Sequence, residues 1–145
     1  MCLDRKLEDP LLEAKEDIIC YKCVQIPYKN WFKLKTSILR FLKLIKHYQT
    51  YYTDIPIVVG TQISASPFNT LSDLRFIEKY YRRIEEGFIH SFVSKKDAIA
   101  YASERSYVDV IKCVIPKGAY YFEGFNSFDF TPGYASTKIK YVKVI

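Results

Sequence analysis

Lys22 is the side chain in this sequence whose surroundings point most directly to anion binding. It lies in a run of Ile, Cys, Tyr and Val between residues 18 and 24. A lysine among such residues needs either solvent at its tip or an anionic partner, because a charge is rarely buried alone. The run therefore predicts an anion-binding lysine. The competing interpretation is a side chain that extends past the edge of the sheet to water.

Cys20 and Cys23, in the same run, have the CxxC spacing of redox and zinc motifs. A redox CxxC opens a helix after a strand, and a zinc knuckle needs a second cysteine pair. Here the motif lies inside a predicted strand, where residues three apart point to opposite faces. The spacing therefore predicts two buried thiols rather than a metal or redox site.

Other candidates for catalysis are few. The two histidines, His47 and His90, do not suffice for a histidine-based metal site unless cysteines and carboxylates complete it. Ser91 follows His90 directly, and neighbours on a strand point apart, which argues against a nucleophile–base pair. Glycine-rich phosphate-binding loops and the HExxH and GxSxG motifs do not occur. We therefore expect no metal and no cofactor.

Composition is typical of a folded single domain with a basic surface. The chain has 145 residues, of which 49% are hydrophobic and 26% charged, with a net charge of +6. A chain of this length forms one domain, residues 1–145. Acidic residues concentrate in segment 1–16, whereas segment 29–52 carries six basic residues and no acidic one. The positive charge favours anionic partners, among them nucleotides, nucleic acid and acidic proteins.

Neither a secretory signal nor a membrane span is expected. The N-terminal residues carry charges throughout instead of the apolar core of a signal peptide. The longest apolar runs are a handful of residues, against about 20 needed to cross a bilayer. We therefore expect a cytoplasmic protein without a membrane partner and without a disulfide framework. A homodimer is an open alternative, since some of the 13 tyrosines and 10 phenylalanines must be exposed.

Hydrophobic periodicity and turn residues predict an α+β fold with a mostly antiparallel, twisted sheet and two to three helices. Apolar residues recurring at three and four predict a helix from Trp31 to Tyr48, within the basic segment 29–52. Capping boxes beginning at Thr70 and Ser94 predict helices over 71–85 and 97–105. Residues 130–136 are predicted as a loop. The predicted strands cover residues 18–26, 55–60, 88–93, 108–115, 119–125 and 138–145.

Five blocks of sequence, covering about half of the chain, stand out as a set. They are Met1–Leu3, Glu16–Lys22, Gly87–Phe92, Ile111–Gly124 and Tyr134–Lys140. Together they resemble a group of small uncharacterised proteins from phages and mobile elements of gut bacteria. The resemblance implies no established activity.

A second resemblance lies in the order of elements. A strand with Tyr21-Lys22-Cys23 is followed by Gly87–Phe92 and a short alanine-rich helix, then by a strand ending in Pro116–Ala119 and a final strand over 138–145. This order is similar to the ADP-ribosyltransferase fold, in which NAD lies in a cleft between two small sheets. The resemblance implies that Lys22 stands where that fold has an Arg or His.

The same resemblance implies that His90, Ser91 and Phe92 form the serine-bearing strand that holds the nucleotide. The fold also places a glutamate near its last strands, where it stabilises a cation-like transition state. Residues 130–136 contain no glutamate. Loss of that carboxylate costs several kcal/mol of electrostatic stabilisation, so catalysis would require Asp129 or Glu123 in its place.

The leading hypothesis is a non-catalytic nucleotide-binding protein of ADP-ribosyltransferase-like fold, with which a phage would sequester a nucleotide messenger of host immunity. Lysine attracts phosphate, and aromatic rings stack on the base at roughly 1–3 kcal/mol per base. The competing roles are sheet packing for the tyrosines and a structural role for His90. The predicted ligand-binding residues are Tyr21, Lys22, His90, Ser91, Phe92, Tyr121, Tyr134 and Ser136.

Two alternatives stay open. One is an active ADP-ribosyltransferase that uses NAD with Asp129 or Glu123. The other is an inhibitor that binds a host protein or nucleic acid through segment 29–52. The leading hypothesis requires the last strand to lie beside the first, with a pocket of rings and a cation between them.

Overall fold

The computed structural model describes residues 3–4, 9–25, 48–50, 56–65, 71–80, 83–84, 87–105, 108–126 and 129–145. Within these residues the chain forms twelve strands and two helices. The helices are α1 (Leu71–Tyr80) and α2 (Lys95–Ser103). The strands are β1 (Leu3–Asp4), β2 (Leu12–Glu13), β3 (Ile18–Gln25), β4 (Tyr48–Thr50), β5 (Pro56–Ile57), β6 (Gln62–Ser64), β7 (Arg83–Ile84), β8 (Ile89–Phe92), β9 (Val108–Ile115), β10 (Tyr120–Asn126), β11 (Pro132–Ser136) and β12 (Lys138–Val144).

The described strands join in one sheet in which every pairing is antiparallel. Its main path runs β6-β12-β9-β3-β8-β11-β10-β1-β7. The predicted α+β class with a mostly antiparallel sheet is therefore confirmed. Neither of the two described helices is long and apolar enough to cross a membrane.

The centre of the sheet is the pair β3–β9, which stays in register from Ile18 opposite Ile115 to Gln25 opposite Val108. Both strands are rich in β-branched residues and bury side chains on both faces, as expected for a central pair. β9 ends at Pro116, which cannot donate a ladder hydrogen bond, and Gly118 follows at a φ of 80° that favours glycine. This turn sends the chain into β10.

The sheet has two faces with different neighbours. On the helix face, Cys23 and Phe92 pack with Ala98 of α2, and Phe122 packs with Leu74 of α1. The opposite face, called here the Lys22 face, carries a core of aliphatic side chains, cysteines and Tyr141. Cys20 belongs to the core of the Lys22 face and Cys23 to that of the helix face. The prediction that the two cysteines point to opposite faces is confirmed.

α2 begins at the predicted capping box. The Ser94 hydroxyl accepts hydrogen bonds from the backbone N–H of Lys96 at 3.1 Å and of Asp97 at 3.4 Å. Its backbone is extended, with φ −104° and ψ 136°, as an N-cap residue requires. The helix therefore starts two residues before the predicted boundary, and it ends at Ser103.

Replacing Ser94 by alanine should lower the free energy of unfolding by about 1 kcal/mol, because two helical N–H groups lose their acceptor. Urea denaturation followed by circular dichroism measures the change. The matched control is Ser103→Ala near the other end of α2, where the hydroxyl bonds only the Ala100 carbonyl. An equal loss in both variants would contradict a capping role for Ser94.

Four predicted elements differ from the structure. The strand predicted over 55–60 is limited to β5, because the chain turns after it, with the Thr61 N–H bonded to the Val58 carbonyl. α1 ends at Tyr80 rather than at residue 85, because Arg83 and Ile84 pair with β1 as a short strand. Residues 132–136, predicted as a loop, form β11; Pro132 and Gly133 are poor strand formers, but β8 and β10 pair with this segment on both sides. The predicted helix from Trp31 lies outside the described residues, except at its end, where Tyr48–Thr50 forms β4.

Candidate functional site

Lys22 lies in the middle of β3 and projects onto the Lys22 face, opposite Ile111 of β9. Its side chain is partly buried, and its Nζ donates a hydrogen bond to the His90 carbonyl at 2.9 Å. Burial lowers the pKa of Lys22, because enclosure penalises the charged ammonium. The side chain neither leaves the sheet at an edge nor reaches full solvent exposure.

Lys22 has no acidic partner in the part of the chain that the structure describes. The ion pairs found there join Lys15 with Glu13, Arg75 with Glu78, and Arg105 with Glu104. An ammonium group has three N–H donors, and only one of those on Lys22 is bonded to the described protein. Two donors of an enclosed cation are therefore available to an acceptor.

Ser91 lies on β8 and faces the same side as Lys22. It is fully buried, and its hydroxyl has no hydrogen-bond partner among the described residues. Burial raises the pKa of the neighbouring Cys20 thiol to about 11, and the Ser91 hydroxyl partly opposes that rise. The Cys20 thiol is thus the weak partner that this buried hydroxyl has in place of a regular hydrogen bond.

Two tyrosines from the neighbouring strands lie on the same face. Tyr134 is opposite Ser91, and Tyr121 is opposite Ser136. The two rings meet edge to face, with centroids 5.6 Å apart and an interplanar angle of 86°. Both side chains keep some exposed surface, whereas Ser136 is fully buried and donates to the Ile89 carbonyl at 3.3 Å.

Glu123 completes this group because it lies directly opposite Tyr134 on the Lys22 face. Burial raises the pKa of Tyr121 and of Tyr134, and the charge of Glu123 adds to the rise in both. Glu123 itself is exposed. Glu123 thus adds a carboxylate to the tyrosine pair on the face that also carries the enclosed Lys22 cation.

The other three predicted site residues project to the helix face. Tyr21 and Phe92 pack beside Cys23 and α2, and the Phe92 ring lies 5.4 Å from that of Tyr101. His90 alternates with Ile89 and Ser91, both of which face Lys22, so only its backbone carbonyl reaches Lys22. The alternation of a strand separates His90, Ser91 and Phe92, which are adjacent in sequence.

Asp129, the other carboxylate considered for catalysis, is part of a turn. Its Oδ1 accepts hydrogen bonds from the Thr131 hydroxyl and from the Thr131 backbone N–H, the latter at 3.0 Å. Slight burial opposes ionisation, but these hydrogen bonds lower the pKa of Asp129. The carboxylate stabilises the turn of the β10–β11 hairpin. Asp129 thus differs from Glu123, which lies inside a strand.

The prediction of a cleft between β3 and the last strand, β12, is wrong. β9 lies between β3 and β12 and pairs with both of them. A residue on β12, such as Tyr141, therefore approaches Cys20 only across Cys113 of β9. The Tyr141 side chain fills the core there, and its buried hydroxyl finds no hydrogen-bond partner in the described residues.

A shallow groove of about 540 Å³ begins at Tyr121 and passes over β2 to α1. Lys15 and Arg75 are its cations, and neither was predicted from the sequence because both look like ordinary solvated charges. Each forms an ion pair, Lys15 with Glu13 at 3.9 Å and Arg75 with Glu78 at 2.9 Å. The lining residues are Leu11, Leu12, Glu13, Lys15, Arg75, Tyr120 and Tyr121.

Among the described residues, no group of three or more His, Cys, Asp or Glu side chains is arranged to hold a metal ion. The thiols of Cys20, Cys23 and Cys113 are free and buried. Burial raises the pKa of each of them, that of Cys23 to about 12. These thiols therefore stay protonated at neutral pH.

Protein-family models, curated proteins and solved structures were compared with this chain, and none matches it.

Proposed function

We propose that the Lys22 face binds a small anionic ligand of the nucleotide class without transforming it. One observation carries the proposal: the enclosed Lys22 ammonium has no carboxylate partner among the described residues. Enclosing a cation without a counter-charge costs free energy, and an anion bound beside it offsets that cost. A phosphate group can accept both of the donors that Lys22 has left.

The neighbouring side chains supply the remaining contacts that a nucleotide needs. Tyr121 and Tyr134 keep exposed surface on the Lys22 face, and a ring in such a position can stack on a base for roughly 1–3 kcal/mol. Ser91 and Ser136 are fully buried, so we assign them to the floor of the site rather than to direct contact. We still propose an ADP-ribosyltransferase-like fold, because the strands and helices follow one another along the chain in a similar order.

Isothermal titration of AMP, NAD and cyclic dinucleotides into the protein tests the proposal. We expect at least one of them to bind and Lys22→Met to weaken that binding about tenfold or more, since a hydrogen bond to a charged group contributes about 1.5–3 kcal/mol. The matched control is Lys96→Met, which removes an equal charge from an exposed position on α2. No heat with any ligand, or an equal loss in both variants, would remove the proposal.

One observation favours a catalytic alternative. Glu123 lies on the Lys22 face opposite Tyr134, so a carboxylate adjoins the ring on which the proposed base would stack. A carboxylate in that place could stabilise a cation-like transition state in NAD cleavage. Free nicotinamide accumulating in the NAD titration would favour the enzyme, whereas heat of binding without product favours the simple binder.

Two biological roles are proposed for the chain: removal of a nucleotide messenger, and binding of a host protein or nucleic acid. For a phage protein, a nucleotide binder would remove a messenger of host immunity from solution. Binding of a host protein or nucleic acid through segment 29–52 stays a prediction, because that segment lies outside the described residues except for 48–50.

A further inference from the structure

The helices leave part of the helix face open to solvent, and lysines occupy that part. Lys138 and Lys140 alternate along β12 with Ile139 and Tyr141, which are buried in the core of the Lys22 face. The two lysines therefore project to the helix face, where both are exposed. Lys112 of β9 is on the same face, since it lies opposite Tyr21.

A β-bulge adds a fourth lysine to this surface. The register between β12 and β9 shifts between Tyr141 and Lys143, so one extra residue is inserted in β12. Without the bulge, regular alternation would put Lys143 on the same face as Tyr141, projecting into the core. With it, Lys143 lies opposite Lys112 and is exposed. The bulge thus re-aims one side chain onto the helix face, as such bulges commonly do.

The resulting lysine face is defined as Lys112, Lys138, Lys140 and Lys143, and the strands that carry and border it place no acidic side chain on it. Within β3, β6, β9 and β12 the only acidic residue is Asp109, and it lies opposite Val24 on the other face. None of the four lysines forms an ion pair with a described residue. Like charges directly opposite on neighbouring strands are destabilising, so the Lys112–Lys143 pair costs stability.

We propose that the lysine face binds the phosphate backbone of a nucleic acid. Lys138 and Lys140 are about 6.6 Å apart along the strand, and β9 adds a second row about 4.8 Å away. Such regular rows of point charges suit a polyanion, and lysine–phosphate contacts work without reading the base sequence. This surface is on the opposite side of the sheet from Lys22, so the proposal does not depend on the nucleotide site.

The neighbours of the lysines also fit a nucleic acid. Gln62 and Ser64 are exposed beside Lys140 and Lys138 and offer hydrogen bonds to phosphate or sugar. Tyr21 keeps some exposed surface next to Lys112, where its ring can contact a base. The exposed apolar side chains on these strands are Ile19 and Val142, and the outward positions carry no Trp, Phe or Leu, the side chains with which a protein inserts into a lipid surface.

Fluorescence anisotropy with a labelled oligo(dT) of about 20 nucleotides, between about 50 and 200 mM salt, tests the proposal. If all four lysines neutralise a phosphate, the logarithm of the binding constant should fall with the logarithm of salt at a slope of about −3. Replacing Lys138, Lys140 and Lys143 together by glutamine should weaken binding about tenfold or more at the lowest salt and bring the slope to about −1.

A control variant distinguishes the effect of losing the lysine face from the effect of a lower net charge. A triple variant with Lys15→Gln, Lys79→Gln and Lys95→Gln removes the same charge from exposed positions scattered over a loop, α1 and α2. It should keep most of the affinity and the salt slope. The proposal is overturned if the protein does not bind the oligonucleotide, if both triple variants lose affinity equally, or if vesicles containing phosphatidylserine bind more tightly than the oligonucleotide.

Discussion

Replacing Phe122 by alanine should lower the free energy of unfolding by about 3–5 kcal/mol. The Phe122 ring is fully buried and meets Phe88 edge to face at 5.6 Å. It also packs with Leu74 and Ile77 and so attaches α1 to the sheet. Alanine leaves a cavity that these neighbours fill only in part, because their own backbones are fixed by a helix and a strand.

Urea denaturation followed by circular dichroism measures this loss. The control is Phe130→Ala, which removes the same side chain from a position that is 75% exposed. The Phe130 ring meets that of Phe125 at a centroid distance of 6.3 Å and is otherwise largely exposed, so we expect a change below about 1 kcal/mol. Similar losses in the two variants would mean that Phe122 does not attach α1 to the sheet.

Lys22→Met should stabilise the protein at pH 7 by roughly 1–2 kcal/mol even though it removes the proposed ligand site. Burial lowers the pKa of Lys22, so the folded protein disfavours the charged form that the unfolded chain carries freely. Methionine has a similar length and no charge to enclose. The His90 carbonyl loses its donor in this variant, which offsets part of the gain.

The dependence of this gain on pH has a definite sign. Above the ordinary lysine pKa of about 10.4, Lys22 is neutral in both states and destabilises nothing. As the pH falls below that value, the unfolded chain takes up a proton before the folded protein does, and the wild type loses stability relative to the methionine variant. Below the folded-state pKa the difference is constant.

Urea denaturation of both proteins at pH 7 and near pH 10 tests this prediction, because other titrating groups affect the pair equally. The gain of the methionine variant should be smaller at the higher pH. A variant that is less stable than the wild type at pH 7 would show that the Lys22 ammonium is satisfied in the protein without a ligand. That result would also weaken the case for an anion beside it.

Residues that determine local structure were sufficient to predict several elements from the sequence. β-Branched residues and the Pro116–Gly118 turn predict β9 with both of its ends, since such residues fit a pleated, half-buried surface and proline cannot continue the ladder. Ser94 and Asp97 predict the start of α2 because capping is a contact between near neighbours in sequence. Alternation along β3 correctly predicts opposite faces for Cys20 and Cys23.

The candidate site was predicted only in part, for a reason that lies in the strand order. Lys22, Ser91, Tyr121, Tyr134 and Ser136 share a face because β3, β8, β11 and β10 are neighbours in the sheet. Tyr21, His90 and Phe92 have residue types equally suited to ligand binding, but the alternation of side chains along β3 and β8 places them on the helix face. Residue type indicates chemistry, whereas register decides which side chains meet.

What the amino-acid sequence determined by itself is therefore short-range: the β9 strand, the α2 cap, the alternation of β3 and the unusual lysine within it. Tertiary structure alone decided that β11 is a strand, that β9 separates β3 from β12, and that a bulge turns Lys143 to the helix face. Each of these depends on hydrogen bonds between segments far apart in the chain. Such pairings are selected by the packing of the whole sheet, and local propensity contributes little to them.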